Sequence, residues 1–162
     1  MGAVLTEKDI ERLLSEPKTL PAGWQQRLAL KQKRGHREAQ LDLAGWDGSE
    51  FRLILRQADG NLFDFSVILA YCPGESSQVF RLCRCNGRHQ HTNVIEGDSF
   101  YDFHVHMATE RYQELGADEE GYAAPCNEYS DLQGATIALF ARCGIEVPPE
   151  AQMSFEESDG WQ

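Results

Sequence analysis

A chain of 162 residues is long enough for one domain with a sizeable core, and its 41% hydrophobic and 25% charged content is ordinary for a soluble globular protein. A net charge of −11 argues against general nucleic-acid binding and leaves a protein partner or a small ligand as the expected contact. There is no apolar run of about 18 residues and no signal-peptide pattern, so no membrane span is expected and a cytoplasmic location is.

At the N-terminus, Thr6 and Asp9 have capping-box spacing, which predicts a short helix with Ile10, Leu13 and Leu14 turned inward and Pro17 as its stop. A second helix is predicted between Pro21 and Gly35, with Trp24 and Leu28 on its apolar side. Its basic residues Arg27, Lys31, Lys33 and Arg34, with Arg37 just beyond, make either a solvated face or a docking surface for an acidic partner.

From about Ala39 the hydrophobic period changes to two. Strands are predicted near 39–45, 50–57, 63–71, 78–85, 88–94 and 100–107, separated by turn pairs such as Asp47-Gly48, Pro73-Gly74 and Asn86-Gly87. A three-residue loop at Asp59-Gly60-Asn61 would pair Leu55 with Phe65, Leu53 with Val67 and Phe51 with Leu69, giving one apolar face. A helical turn ending at Gly116 and a loop over 118–122 come next. Asn127 is then the expected cap of a last helix whose stripe is Tyr129, Leu132, Thr136, Leu139, Phe140 and Cys143. The predicted fold is α+β: an antiparallel meander of about six strands, with N-terminal helices and a C-terminal helix packed on one face. Residues 1–145 form the expected domain and 146–162 an acidic tail expected to be disordered. The five cysteines lack metal-ribbon spacing and are expected as reduced thiols, with Cys83 and Cys85 serving as small core residues.

Four of the five histidines form two His-x-His pairs, His89/His91 and His104/His106. In the 100–107 segment, Tyr101, Phe103, Val105 and Met107 make the apolar face, and Asp102, His104 and His106 the other. A four-residue loop at Glu96–Ser99 would set His91 opposite His104, His89 opposite His106 and Asn93 opposite Asp102, with Cβ atoms roughly 4.5–5.5 Å apart. A two-residue Asn86-Gly87 turn would set Arg84 opposite His89 and bring it to the same face, with Val79, Cys83 and Val94 on the core side. Arg81 also falls on the core side, as a misfit.

Neutral imidazoles are the commonest zinc ligands, so His89, His91, His104 and His106 are candidate ligands for a divalent transition metal such as zinc. Arg84, Asn93, His89, His91 and Asp102 are candidates for holding a ligand, and His104, His106, Glu110 and Arg111 for catalysis. Metal binding would be expected to weaken below about pH 6.5 as the imidazoles protonate.

The spacing of His89, His91 and Glu96 resembles the first metal motif of the cupin barrels, whose second motif, a Pro-Gly stretch leading to another histidine, is absent. The segment from Phe80 to Tyr129, with His91, Asn93 and the run FHxHxATERYQ (His104, His106, Thr109, Glu110, Arg111, Tyr112), resembles an uncharacterised bacterial domain family of prophage and mobile-element type. That resemblance implies a bacterial cytoplasm and a mobile-element or defence setting, and carries no activity with it. Three readings are open: a binding or interaction protein with a histidine-rich site, a metal-assisted hydrolase or nuclease, and a small-anion binder.

Overall fold

The computed structural model describes residues 4–74 and 76–148. Thr6 caps α1 (Glu7–Ser15) through the reciprocal bonds of a capping box with Asp9, and Ile10 and Leu13 are buried beneath it. Next come β1 (Lys18–Thr19), a single turn α2 (Trp24–Arg27), β2 (Lys31–Gln32), β3 (His36–Ala44), β4 (Glu50–Ala58), β5 (Phe65–Tyr71) and β6 (Phe80–Asn86). The chain then makes β7 (His91–Thr92), β8 (Ser99–Phe100), β9 (His104–Met107), α3 (Glu110–Leu115), β10 (Tyr122–Pro125), α4 (Leu132–Arg142) and β11 (Ile145–Glu146).

Seven strands form one antiparallel sheet in the order β10-β9-β6-β5-β4-β3-β2. The fold is therefore α+β, with α4 packed against β5 and β6 on one face. That face is the core. Phe51, Leu53, Leu55, Phe65, Val67, Leu69 and Val105 meet Leu139, Phe140 and Cys143 there, and Phe103 and Leu132 pack at its rim, partly buried. Cys83 and Cys85 are fully buried among them and face away from the histidines.

Several local expectations change. The predicted 21–35 helix is one turn long; Lys31 and Gln32 instead pair with β3 as the edge strand of the sheet, so the basic residues do not share a helix face: Arg27 ends α2, Lys31 is on the edge strand and Arg37 is in β3. The β4–β5 register pairs Leu55 with Val67 and Leu53 with Leu69, two residues from the predicted one. A shift of two keeps every side chain on its face, so the apolar set is unchanged. Between Leu69 and Ala70 the β5–β6 ladder has a bulge: Leu69 pairs with Cys83 but Ala70 pairs with Arg81. The bulge places Arg81 on the same face as Arg84, which removes the misfit. Val79 and Val94 are exposed, not core. Asp131, not Asn127, caps α4. Tyr122, read from sequence as part of a loop, begins a strand that runs to Pro125 and forms the other edge, and its proline lies where no further ladder bond is needed. Ile145 and Glu146 pair in parallel with Lys18 and Thr19, so the folded chain passes the predicted boundary at 145. The acidic tail beyond Pro148 lies outside the described residues. No helix among those residues is long and apolar enough to cross a membrane.

Candidate metal centre

The structure departs furthest from expectation at the end of β6. Asn86-Gly87 is not a hairpin turn. The chain stays against the start of β5, with the Gly87 N–H donating to the Phe65 carbonyl (2.9 Å) and Arg88 N–H to the Phe63 carbonyl (2.8 Å). A Cβ on Gly87 would lie 1.8 Å from that Phe63 oxygen, so glycine is required here by close approach. β6 pairs directly with β9, matching Arg84 with His106 and Asn86 with His104. The residues between them form an excursion, of which β7 and β8 are a small separate hairpin with His91 opposite Phe100.

Neither predicted histidine pair is therefore cross-strand, yet the rings converge. Ring centroids lie 5.5 Å apart for His91 and His104, 4.7 Å for His91 and His106, 5.0 Å for His104 and His106, and 4.7 Å for His89 and His104. His104 and His106 stand on the sheet face opposite Val105, and His91 meets them from the hairpin. One ring nitrogen from each of His91, His104 and His106 lies within 4.8 Å of the other two; His89 is not in that group.

The tautomers are set by fixed oxygen atoms. His104 Nδ1 lies 2.8 Å from the Asp102 carbonyl oxygen and His106 Nδ1 lies 2.7 Å from that of Glu120, so each Nδ1 carries the proton. The Asn93 side chain is oriented by the backbone of Ala123: its Oδ1 accepts from the Ala123 N–H (2.8 Å) and its Nδ2 donates to the Ala123 carbonyl (2.8 Å). The same Oδ1 therefore accepts from His91 Nε2, 2.9 Å away. Each imidazole has one nitrogen committed to an oxygen, which leaves the lone pairs of His91 Nδ1, His104 Nε2 and His106 Nε2 to offer. His104 Nε2 also receives a long contact from Asn86 Nδ2 at 3.4 Å, weak enough for an ion to displace. A histidine whose second nitrogen donates to a carbonyl or amide oxygen is the arrangement that orients metal-ligating imidazoles.

His104 is fully buried and His106 nearly so. Burial is the main cause that lowers the His104 pKa to about 4 and that of His106 to about 3, and neighbouring imidazoles and Arg84 push in the same direction. Both are thus neutral at pH 7. The expected loss of metal affinity below about pH 6.5 does not come from these two rings, because their protonation is deferred to lower pH.

Arg84 shares the sheet face: its Nε donates to Asn86 Oδ1 (3.0 Å) and its Nη1 to Glu120 Oε1 (3.3 Å). Asp102 is exposed and approaches the cluster through its backbone carbonyl. Glu110 exchanges backbone–carboxylate bonds with Glu7, which ties α1 to α3. Arg111 and the Tyr112 hydroxyl both hold Glu96, at 2.6 and 2.7 Å. Glu110, Arg111 and Glu96 thus secure α3 against its neighbours, and the cupin-like spacing of Glu96 does not become a ligand set. Sequence reasoning missed Asn86 and Glu120. Asn86 lies between Arg84 and His104, with its Oδ1 also accepting from Ser66 Oγ (2.8 Å). Glu120 is buried and supplies the carbonyl that fixes His106. Asn86 was read only as half of a turn pair, and the β6–β9 register brings it to the site; Glu120 belongs to no motif and reaches His106 from the loop before β10.

Three imidazoles with no carboxylate among them form a neutral ligand set, so a bound divalent ion would keep its full charge. Tetrahedral zinc–nitrogen distances of about 2.0–2.1 Å place ligand nitrogens about 3.4 Å apart, so nitrogens spread over as much as 4.8 Å must close by about 1.4 Å. His91, partly exposed and on a two-residue strand, is the ring with room to make that movement. A cavity of about 510 Å³ lies elsewhere, between the Asn61–Phe63 turn and the start of α4. Comparison with protein-family models, with curated proteins and with solved structures finds no match for this chain.

Proposed function

We propose that this is a binding protein built around a three-histidine centre for a divalent transition metal, with His91, His104 and His106 as ligands. The observation that carries this reading is the commitment of one nitrogen of each ring to an oxygen while the three rings converge. An exposed strand face with scattered histidines would not bury two of them and fix all three tautomers. Zinc is the preferred ion, since neutral imidazoles suit it and nothing in the set selects a hard cation.

Metal-assisted hydrolysis is the second reading. It is favoured by the ligand count: three protein ligands leave a fourth position for water, as in catalytic zinc sites. The mobile-element setting and the cytoplasmic location rest on the sequence resemblance and composition alone.

A competition titration with zinc tests the proposal. One equivalent should bind, and Asn93→Ala, which frees His91 Nε2 and loosens the hairpin from β10, should weaken binding by about 10–100-fold. Binding with no loss in that variant would mean that the ion sits elsewhere.

A further inference from the structure

A cavity of about 180 Å³ adjoins the histidine cluster on the same face of the sheet, lined by His36, Arg56, Asp64, Ser66, Arg84 and His89 among others. It is smaller than the roughly 300–1,000 Å³ of sites for drug-sized ligands, and so suits a compact group. Arg56 and Ser66 in its lining begin a cross-sheet row, Arg56–Ser66–Asn86–His104, in which each residue pairs with the next and which leads from the cavity to the histidines. Arg56 stands beside Ser66 on one side, and Arg84 reaches Ser66 from the other, its Nε 3.4 Å from Ser66 Oγ.

The donors are only partly used. Arg84 gives Nε to Asn86 and Nη1 to Glu120, and its Nη2 has no acceptor among the described residues. Arg56, at the exposed rim, ion-pairs through Nε with Glu38 at 3.4 Å and brings Nη2 to 3.4 Å from His36 Nε2, and its Nη1 has no acceptor among the described residues. His89 Nδ1 is buried with no hydrogen-bond partner. A buried polar atom without a partner costs about 1–3 kcal/mol, so an orphan beside two incompletely bonded guanidinium groups marks a place where a hydrogen-bonding partner is missing, an acceptor when His89 carries its proton on Nδ1. The one acid in the lining, Asp64, is solvent-exposed, where water screens it. Each guanidinium is ion-paired with one carboxylate, Arg56 with Glu38 and Arg84 with Glu120, so the cavity offers an anion directed N–H donors rather than a net positive charge.

We infer that this cavity binds the phosphate group of a small phosphorylated ligand. The donors approach from separate directions, from β4, from β6 and from His89 on the segment that leaves the sheet. A tetrahedral dianion presents three oxygens to such a set, whereas a planar carboxylate presents two in one plane. Asn86 joins the pocket to the metal centre, taking Arg84 on its Oδ1 and facing His104 with its Nδ2. A ligand anchored here would extend toward the three-histidine centre; that part of the inference rests on the metal reading, and the pocket itself does not.

The test is a calorimetric titration of the full chain with inorganic phosphate, first metal-free and then with one equivalent of zinc, with acetate as the carboxylate probe. Saturable one-to-one phosphate binding is expected in the metal-free protein. Arg56→Gln, at an exposed position whose loss should leave the fold intact, should weaken it by about tenfold or more. Arg84→Gln should do the same, with circular dichroism confirming the fold of both variants. Absence of phosphate binding, equal affinity in Arg56→Gln, or acetate binding as tightly as phosphate overturns the inference. So does phosphate that binds only with zinc present and is indifferent to Arg56, since that anion would sit on the ion. If zinc fails to bind while phosphate still does, the metal reading falls and the pocket stands.

Discussion

Replacing Lys18 with Met is expected to lower stability by about 3–5 kcal/mol and the melting temperature by on the order of 10 °C. Lys18 is fully buried. Its ammonium donates to the carbonyls of Leu13 (2.8 Å), Leu14 (3.2 Å), Glu16 (2.7 Å) and Cys143 (2.6 Å), and it sits over the Phe51 ring at 4.6 Å. Leu13 and Leu14 belong to the last turn of α1, and Cys143 is the C-cap of α4. One cation thus satisfies orphan carbonyls at the C-termini of both helices, where the helix dipoles are negative. Burial lowers the pKa of Lys18, and charge interactions with Cys143 and Glu16 offset part of that shift. Met fills the same volume but leaves several buried oxygens unpaired. Urea unfolding of this variant against Lys31→Met on the exposed edge strand checks the point; the control should change by less than about 0.5 kcal/mol. Equal effects at the two positions would remove Lys18 from the account of stability.

The second large effect is the acid sensitivity of the metal-free protein. His104 and His106 have folded pKa values of about 4 and about 3, below the unfolded value near 6.5. Between pH 6.5 and about 4 the unfolded chain takes up protons that the folded chain refuses. Their contribution is therefore fully present above about pH 6.5 and is lost as pH falls toward the folded values, at about 1.4 kcal/mol per unit of separation. Stability should decline by several kcal/mol over that window, and His106→Gln should reduce the slope. Imidazole NMR titration gives an independent check, with both rings neutral down to near pH 4. Protonation of either ring near 6.5 would contradict the buried, carbonyl-bound arrangement.

Much of the fold was legible because side-chain parity survives errors of register. The β4–β5 pairing is off by two residues, and no residue changes face. Val105 and His104 were assigned to opposite faces by alternation alone, and that assignment holds whatever strand lies alongside. What could not be read was the partner of β9. Turn chemistry argues from neighbours in sequence, so Asn86-Gly87 suggested a hairpin where the chain in fact leaves the sheet. The true partner, β6, lies beyond the whole excursion that carries His89 and His91. Nothing in a linear pattern distinguishes a hairpin in the sheet from one folded over it. The same limit hid Lys18, whose partners at Leu13 and Cys143 meet it only through the two-residue parallel pairing of β1 with β11. Asn127 and Asp131 are both good caps, and packing rather than propensity selects the second.

The central claim is most directly tested by a crystal structure of the protein grown with zinc, with anomalous scattering measured across the zinc edge. The account predicts a single strong peak bounded by His91 Nδ1, His104 Nε2 and His106 Nε2, each at about 2.0–2.1 Å, with the contacts to Asn93, Asp102 and Glu120 retained. No peak at saturating zinc, or a peak on His36 at the far end of the neighbouring cavity with the three rings unmoved, would contradict it.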